Sequence, residues 1–185
     1  YEILWHEDLA AAIPGSGVIG ADGMLYIGTL DSKFEKFDPA TGQHETVLTT
    51  KDWLWGTPVV EGDNIYFADL AGEIYSYNTS TGTNNWSSVK PDGAVTASPL
   101  VLPEYILFAT ETGKTEDDPG NLFAVSREGK IVWNEEVGGQ KSKTYTTPVL
   151  SGNMILVAPL GADGYLYAYG LDGREASWSP FKPGE

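Results

Sequence analysis

An all-β propeller of four-stranded antiparallel blades is the architecture this chain predicts, and three observations carry that reading. Short runs such as Ile74-Tyr75-Ser76-Tyr77 and Tyr165-Leu166-Tyr167-Ala168-Tyr169 are rich in aromatic and β-branched residues and alternate with the two-residue period of strands. Pairs such as Asp22-Gly23, Thr41-Gly42, Thr81-Gly82 and Asp172-Gly173 fall between runs, where tight reversals need positive φ or a side chain that bonds its own backbone. Finally the pattern repeats. Pro58, Pro99 and Pro148 recur after 41 and 49 residues, and Trp86, Trp133 and Trp178 after 47 and 45. A period of about 40 to 50 residues with four short strands per unit is the signature of propeller blades.

Taken in order, residues 1–10 carry Ile3, Leu4 and Trp5 in the pattern that closes each later repeat, and they read as the outer strand of a preceding blade. Four repeats follow, at about 11–50, 56–90, 97–137 and 146–181. In the first, Pro- and Gly-rich Ile13 to Val18 stands where the others have a Pro-led entry strand; strands at Met24 to Thr29 and Phe34 to Asp38 come next. The second gives Thr57-Pro58-Val59-Val60, Asn64 to Ala68, Glu73 to Tyr77 and Asn84 to Trp86. The third gives Ser98-Pro99-Leu100-Val101, Tyr105 to Thr110, Asn121 to Val125 and Lys130 to Trp133, with a polar insertion from Glu111 to Gly120. The fourth gives Thr147-Pro148-Val149-Leu150, Met154 to Ala158, Tyr165 to Tyr169 and Ser177-Trp178, turning at Asp163-Gly164 and Asp172-Gly173.

Composition narrows the function. With 26 acidic against 11 basic residues the formal charge is -15, so the surface repels nucleic acid phosphates and anionic lipid headgroups. No apolar run reaches bilayer-spanning length, which argues against membrane insertion. Cysteine is absent, which removes disulfides, thiolate zinc sites and cysteine nucleophiles together. The chain starts at Tyr1 without an initiator methionine or signal peptide and reads as a processed or partial chain.

The repeats resemble the pyrroloquinoline quinone (PQQ) type propeller repeat, whose pattern is alanine, any residue, aspartate, two residues, threonine-glycine, three residues, tryptophan. The second repeat places Ser76, Asn78, Thr81, Gly82 and Trp86 in that pattern. The first has Asp38, Thr41 and Gly42 but puts Lys36 and Thr46 at the alanine and tryptophan places. The third has Ala124, Gly129 and Trp133 with a turn one residue short, and the fourth has Ala168 and Gly173 with Trp178 one residue late. The resemblance implies that Trp5, Trp86, Trp133 and Trp178 are structural, each docking on the neighbouring blade. Similar propellers usually close with seven or eight blades, so four imply part of a larger propeller, or a half-ring that pairs with a second copy.

Three functions fit that resemblance. One is a noncatalytic scaffold or binding module for a protein or small ligand, as in the outer-membrane assembly lipoproteins, with no cofactor and an extracytoplasmic location, periplasmic or cell-surface. Another is part of a quinoprotein dehydrogenase, which would bring PQQ and calcium; the family's vicinal cysteine pair is missing here. A third is an extracellular sensor or ligand-binding domain of a larger surface protein.

Individual residues add candidates. Glu111, Glu116, Asp117 and Asp118 cluster in the insertion and could offer oxygens to calcium, although the EF-hand spacing is absent and a solvated hairpin extension is the competing reading. Gly-Lys-Thr in the same loop lacks the upstream glycine of a phosphate loop. Trp53 and Trp55, in the connector leading to Pro58, are candidates for gripping a partner on one face, and Tyr145 stands as far before Pro148 as Trp55 does before Pro58. His6 and His44 lie in different repeats at outer-strand positions, with no carboxylate partner legible for either. No Gly-x-Ser-x-Gly elbow supports serine catalysis. The sequons at Asn78 and Asn85 matter only in a eukaryotic secretory host, and since the second overlaps Trp86 they read as chance matches.

Overall fold

The computed structural model describes residues 2–161 and 164–182. Fifteen strands in four antiparallel sheets make up its regular structure, and the described residues contain no helix long and apolar enough to cross a membrane. Sheet one contains β1 (Val18–Ile19), β2 (Leu25–Gly28), β3 (Lys33–Phe37) and β4 (His44–Thr49), ordered as in the chain. Sheet two contains β5 (Val59–Glu61), β6 (Asn64–Ala68), β7 (Ile74–Asn78) and β8 (Thr83–Asn84). Sheet three contains β9 (Leu100–Val101), β10 (Ile106–Ala109), β11 (Gly120–Val125) and β12 (Ile131–Val137). Sheet four has only β13 (Val149–Ser151), β14 (Met154–Val157) and β15 (Tyr167–Gly170). Each sheet is one blade, ordered from inner to outer strand.

Burial follows strand position. Middle strands β6, β7, β10 and β11 are buried almost throughout, whereas β4, β8 and β12 form the wet outer edge. The core is divided among the blade junctions. Tyr26, Phe34, Leu54, Phe67 and Tyr77 fill the first, and Tyr66, Ile74, Ile106, Phe108 and Val125 fill the second. Leu107, Leu122, Val137, Ile155 and Tyr169 fill the third.

Two expected strands are not formed. Residues 2–10 contain no strand, although Trp5 still reaches blade one. In blade four, Ser177-Trp178 falls in a turn, and the returning chain meets this edge through isolated bridges at Leu166–Phe181 and Tyr169–Glu175 and through scattered hydrogen bonds such as the Ala176 amide to the Ala168 carbonyl. The late tryptophan and Pro180, which has no amide to donate, leave that edge without a continuous ladder. The Asp163-Gly164 turn lies partly outside the described residues.

Candidate docking face and blade junctions

Each Ser or Thr at the blade entry is tied to the next. The Ser16 amide donates to Thr57 Oγ1 at 2.9 Å, the Thr57 amide to Ser98 Oγ at 2.9 Å, and the Ser98 amide to Thr147 Oγ1 at 3.1 Å. These hydroxyls fix equivalent places on successive blades. Two residues before them stand Pro14, Trp55, Thr96 and Tyr145, so Trp55 and Tyr145 occupy the same place on blades two and four. Trp53, Trp55 and Tyr145 are 47%, 46% and 41% exposed, while Leu54 between the tryptophans is buried in the first junction.

The backbone under this pair of tryptophans is held by a buried carboxylate. Asp69, at the end of β6, accepts from the amides of Lys51 and Asp52 through one oxygen and from the amide of Glu73 through the other. The Tyr75 hydroxyl donates to it as well, at 2.9 Å. Burial raises the carboxyl pKa above its usual value, against the pull of those donors. The Leu70 amide then donates to the Trp53 carbonyl. Nothing in a sequence scan for catalytic patterns singles out this aspartate; Ala-Asp-Leu-Ala-Gly simply reads as a turn.

The acidic insertion lies at the same end of the blades, between β10 and β11, and its carboxylates diverge. Glu111 accepts from the Tyr145 hydroxyl at 2.8 Å and from Lys143 Nζ at 3.3 Å. Asp117 pairs with Lys141 at 3.8 Å, and Asp118 turns back to accept the Thr115 amide. With Glu111 and Asp117 drawn to separate lysines, these residues and Glu116 do not form a calcium cage. Among the described residues no group of three or more His, Cys, Asp or Glu is gathered for a metal. The Glu111 contact does place Tyr145 against this loop, and it raises the hydroxyl pKa.

At the opposite end of the blades lie the tryptophan contacts. Trp5 stacks on Phe37 at 6.2 Å, donates its indole N–H to the Pro39 carbonyl at 2.8 Å and covers Gly42. Trp86 donates to the Arg127 carbonyl at 3.0 Å and covers Gly129, and Trp133 covers Gly173. Trp178 is different: it is 53% exposed and covers no glycine turn among the described residues. Over Gly82 no tryptophan lies, since Thr46 stands at the tryptophan place of blade one, and the place of a Cβ meets only the Tyr77 hydroxyl at 3.8 Å.

Two polar contacts at the junctions had no sequence signal. Arg127 of blade three grips Glu61 of blade two with two nitrogens, at 2.9 and 2.5 Å, and donates to the Leu102 carbonyl at 2.8 Å. That guanidinium holds the Glu61 carboxyl below its ordinary value of 4.5. On blade one, Glu35 sits where β7, β11 and β15 carry Tyr75, Phe123 and Tyr167. Its side chain is 4% exposed and accepts from Thr46 Oγ1 at 2.7 Å, with His44 Nδ1 at 3.5 Å.

The inner strands form a wall around a hollow of about 560 Å3, lined by Val18, Ile19, Pro58, Val59, Val60, Pro99, Leu100 and Val101. PQQ is a polycarboxylate quinone, and this all-aliphatic lining offers it neither a cation nor a side-chain hydrogen-bond donor. These residues do not fit the cofactor.

Four antiparallel blades, the second, third and fourth joined by tryptophan-on-glycine contacts, define a partial β-propeller of the PQQ-repeat class. The sequence profile of the family described as "Outer membrane protein assembly factor BamB" matches residues 2–184, and the chain belongs to that family. Among solved structures it is similar to BamB from Moraxella catarrhalis, with a TM-score of 0.75 and 20% identity over 94% of this chain and 55% of that one. The computationally designed Ika4 protein gives a TM-score of 0.69 and 15% identity over 92% of this chain and 98% of that one. Quinohemoprotein alcohol dehydrogenase from Comamonas testosteroni gives 0.71 and 14% over 90% of this chain and 34% of that one. The chain thus spans about half the length of the Moraxella protein. No curated protein matches it in sequence.

Proposed function

We propose that this chain is a noncatalytic propeller module of an extracytoplasmic assembly, binding a protein partner through the connector end of its blades. The observation that carries this reading is the exposure of Trp53, Trp55 and Tyr145 at one end of the arc, on backbone held by Asp69 and the Ser/Thr links. Large aromatics on a rigid support bury much area at little entropic cost, which is what an interface anchor requires. Family membership supports both the scaffold role and the location. The aliphatic axis wall and the divergent carboxylates of the insertion argue against the quinoprotein reading.

A photo-crosslinking amino acid at position 55, and separately at position 62 in the turn at the far end of the same blade, tests the assignment in cells that make the protein. A discrete adduct from position 55 and none from position 62 is expected. Its yield should fall about tenfold or more when Trp53→Ala and Tyr145→Ala are introduced together. Equal adducts from both positions, or an adduct indifferent to the two alanines, would overturn the assignment.

A further inference from the structure

His44 lies between two carboxylates from different parts of the chain. Its Nδ1 is 3.5 Å from Glu35 Oε2 and its Nε2 is 3.7 Å from Glu7 Oε1. The ring stacks on Phe37 at 4.8 Å, and Trp5 stacks on the same phenylalanine. One imidazole therefore connects the buried carboxylate of β3 to the segment that seats Trp5 on the Gly42 turn.

We propose that His44 is a proton-operated latch that fastens residues 2–9 to the leading face of blade one. Histidine is the side chain whose charge changes near neutrality. When protonated, the ring carries a positive charge and an N–H on each nitrogen, so it attracts both carboxylates. When neutral, it has one N–H to offer, and one of the two carboxylates loses its donor. The sign follows directly: protonation favours the fastened segment, so acid holds it and alkali loosens it.

The groups around the ring leave Glu35 and Glu7 as its ionic partners. Asp38, Gln43 and Glu45 line the adjoining hollow of about 310 Å3 with Met24 and Lys36. The Asp38 carboxylate is taken up by the Ala40 amide and the Thr41 hydroxyl. Lys36 is drawn to Asp22 at 3.4 Å and Glu45 at 3.9 Å. Lys33, on the Glu35 side of β3, is paired with Asp31 at 2.5 Å. On the segment itself, Asp8 accepts the Ala10 amide.

Release of the segment bares Phe37 and the Gly42 turn. That is the kind of glycine-turn surface on which Trp86 and Trp133 seat. An aromatic at position 35, as in the other blades, would fill the space but could not respond to a proton.

Fluorine NMR of the full chain labelled with 5-fluorotryptophan tests this, with the Trp5 resonance assigned through Trp5→Phe. Its docked-to-released ratio is expected to fall about fivefold between pH 5.5 and 8.5, the size of effect that one partly exposed and one more buried ion pair can supply. His44→Gln should hold the resonance at its alkaline position throughout. Glu7→Gln removes one partly exposed carboxylate without touching the core, and it should lower the docked ratio at pH 5.5 by about twofold or more. A Trp5 resonance unchanged across this range, or a full transition retained in His44→Gln, would overturn the proposal.

Discussion

Gly129 combines two demands that only glycine can meet. Its φ is +76°, and a Cβ there would lie 2.6 Å from the Trp86 ring, so it supplies both the left-handed turn and the floor beneath the indole. Gly23 has nearly the same φ, +79°, with nothing within 4 Å, so it carries only the conformational demand. Gly23→Ala should therefore cost about 1 kcal/mol, and Gly129→Ala at least about 1 kcal/mol more as Trp86 is pushed out of contact. Urea unfolding of the two variants makes the comparison. Thr57 offers a second test, since its hydroxyl accepts from Ser16 while its amide donates to Ser98. Thr57→Val keeps the shape and removes the acceptor, a loss of about 1 kcal/mol, whereas Thr57→Ser should be close to neutral. Thermal melts of the pair would show whether the hydroxyl or the methyl matters.

Between elements, the blade junctions differ in how they are closed, and only part of that was legible in the sequence. The Pro and Trp periods and the Thr-Gly and Asp-Gly turns located the blades, because turn chemistry and alternation are local properties of the chain. Trp86 on Gly129 and Trp133 on Gly173 are instances of that pattern. Glu61 and Arg127 are 66 residues apart and belong to no motif, so only the packing of one blade on the next brings them together. Glu35 is similar: a lone carboxylate in Phe34-Glu35-Lys36-Phe37 reads as a solvent-facing residue until the register puts it at the aromatic place. The outer strand of blade four failed for a physical reason: the late Trp178 and the amide-less Pro180 interrupt the ladder beside β15. At the Arg127 clamp the depressed Glu61 carboxyl means stability that is fully present above its ordinary value of 4.5 and is lost as pH falls through the lower folded value. The melting temperature of Arg127→Gln should therefore lie below that of the parent at pH 7 and converge on it towards pH 3. A gap that stays constant with pH would mean that Arg127 acts through packing alone.

For the molecule as a whole, stability is distributed over separate junction cores rather than one centre, as expected of repeat architectures in which each unit touches only its neighbours. The sequence could place Trp53, Trp55 and Tyr145 near one face by counting back from the prolines. It could not show that Tyr145 leans on the acidic insertion, or that a buried aspartate fixes the tryptophan connector, since both depend on contacts across blades. The Ser/Thr links are likewise a property of the array, and they have a direction: the amide always comes from the earlier blade and the hydroxyl from the later one. Contacts of this head-to-tail kind are heterologous, so a face-to-face two-fold pair cannot reproduce them. Units joined this way can only polymerise in one sense, and growth stops where the curvature of the arc brings the last amide donor round to the hydroxyl of the first blade.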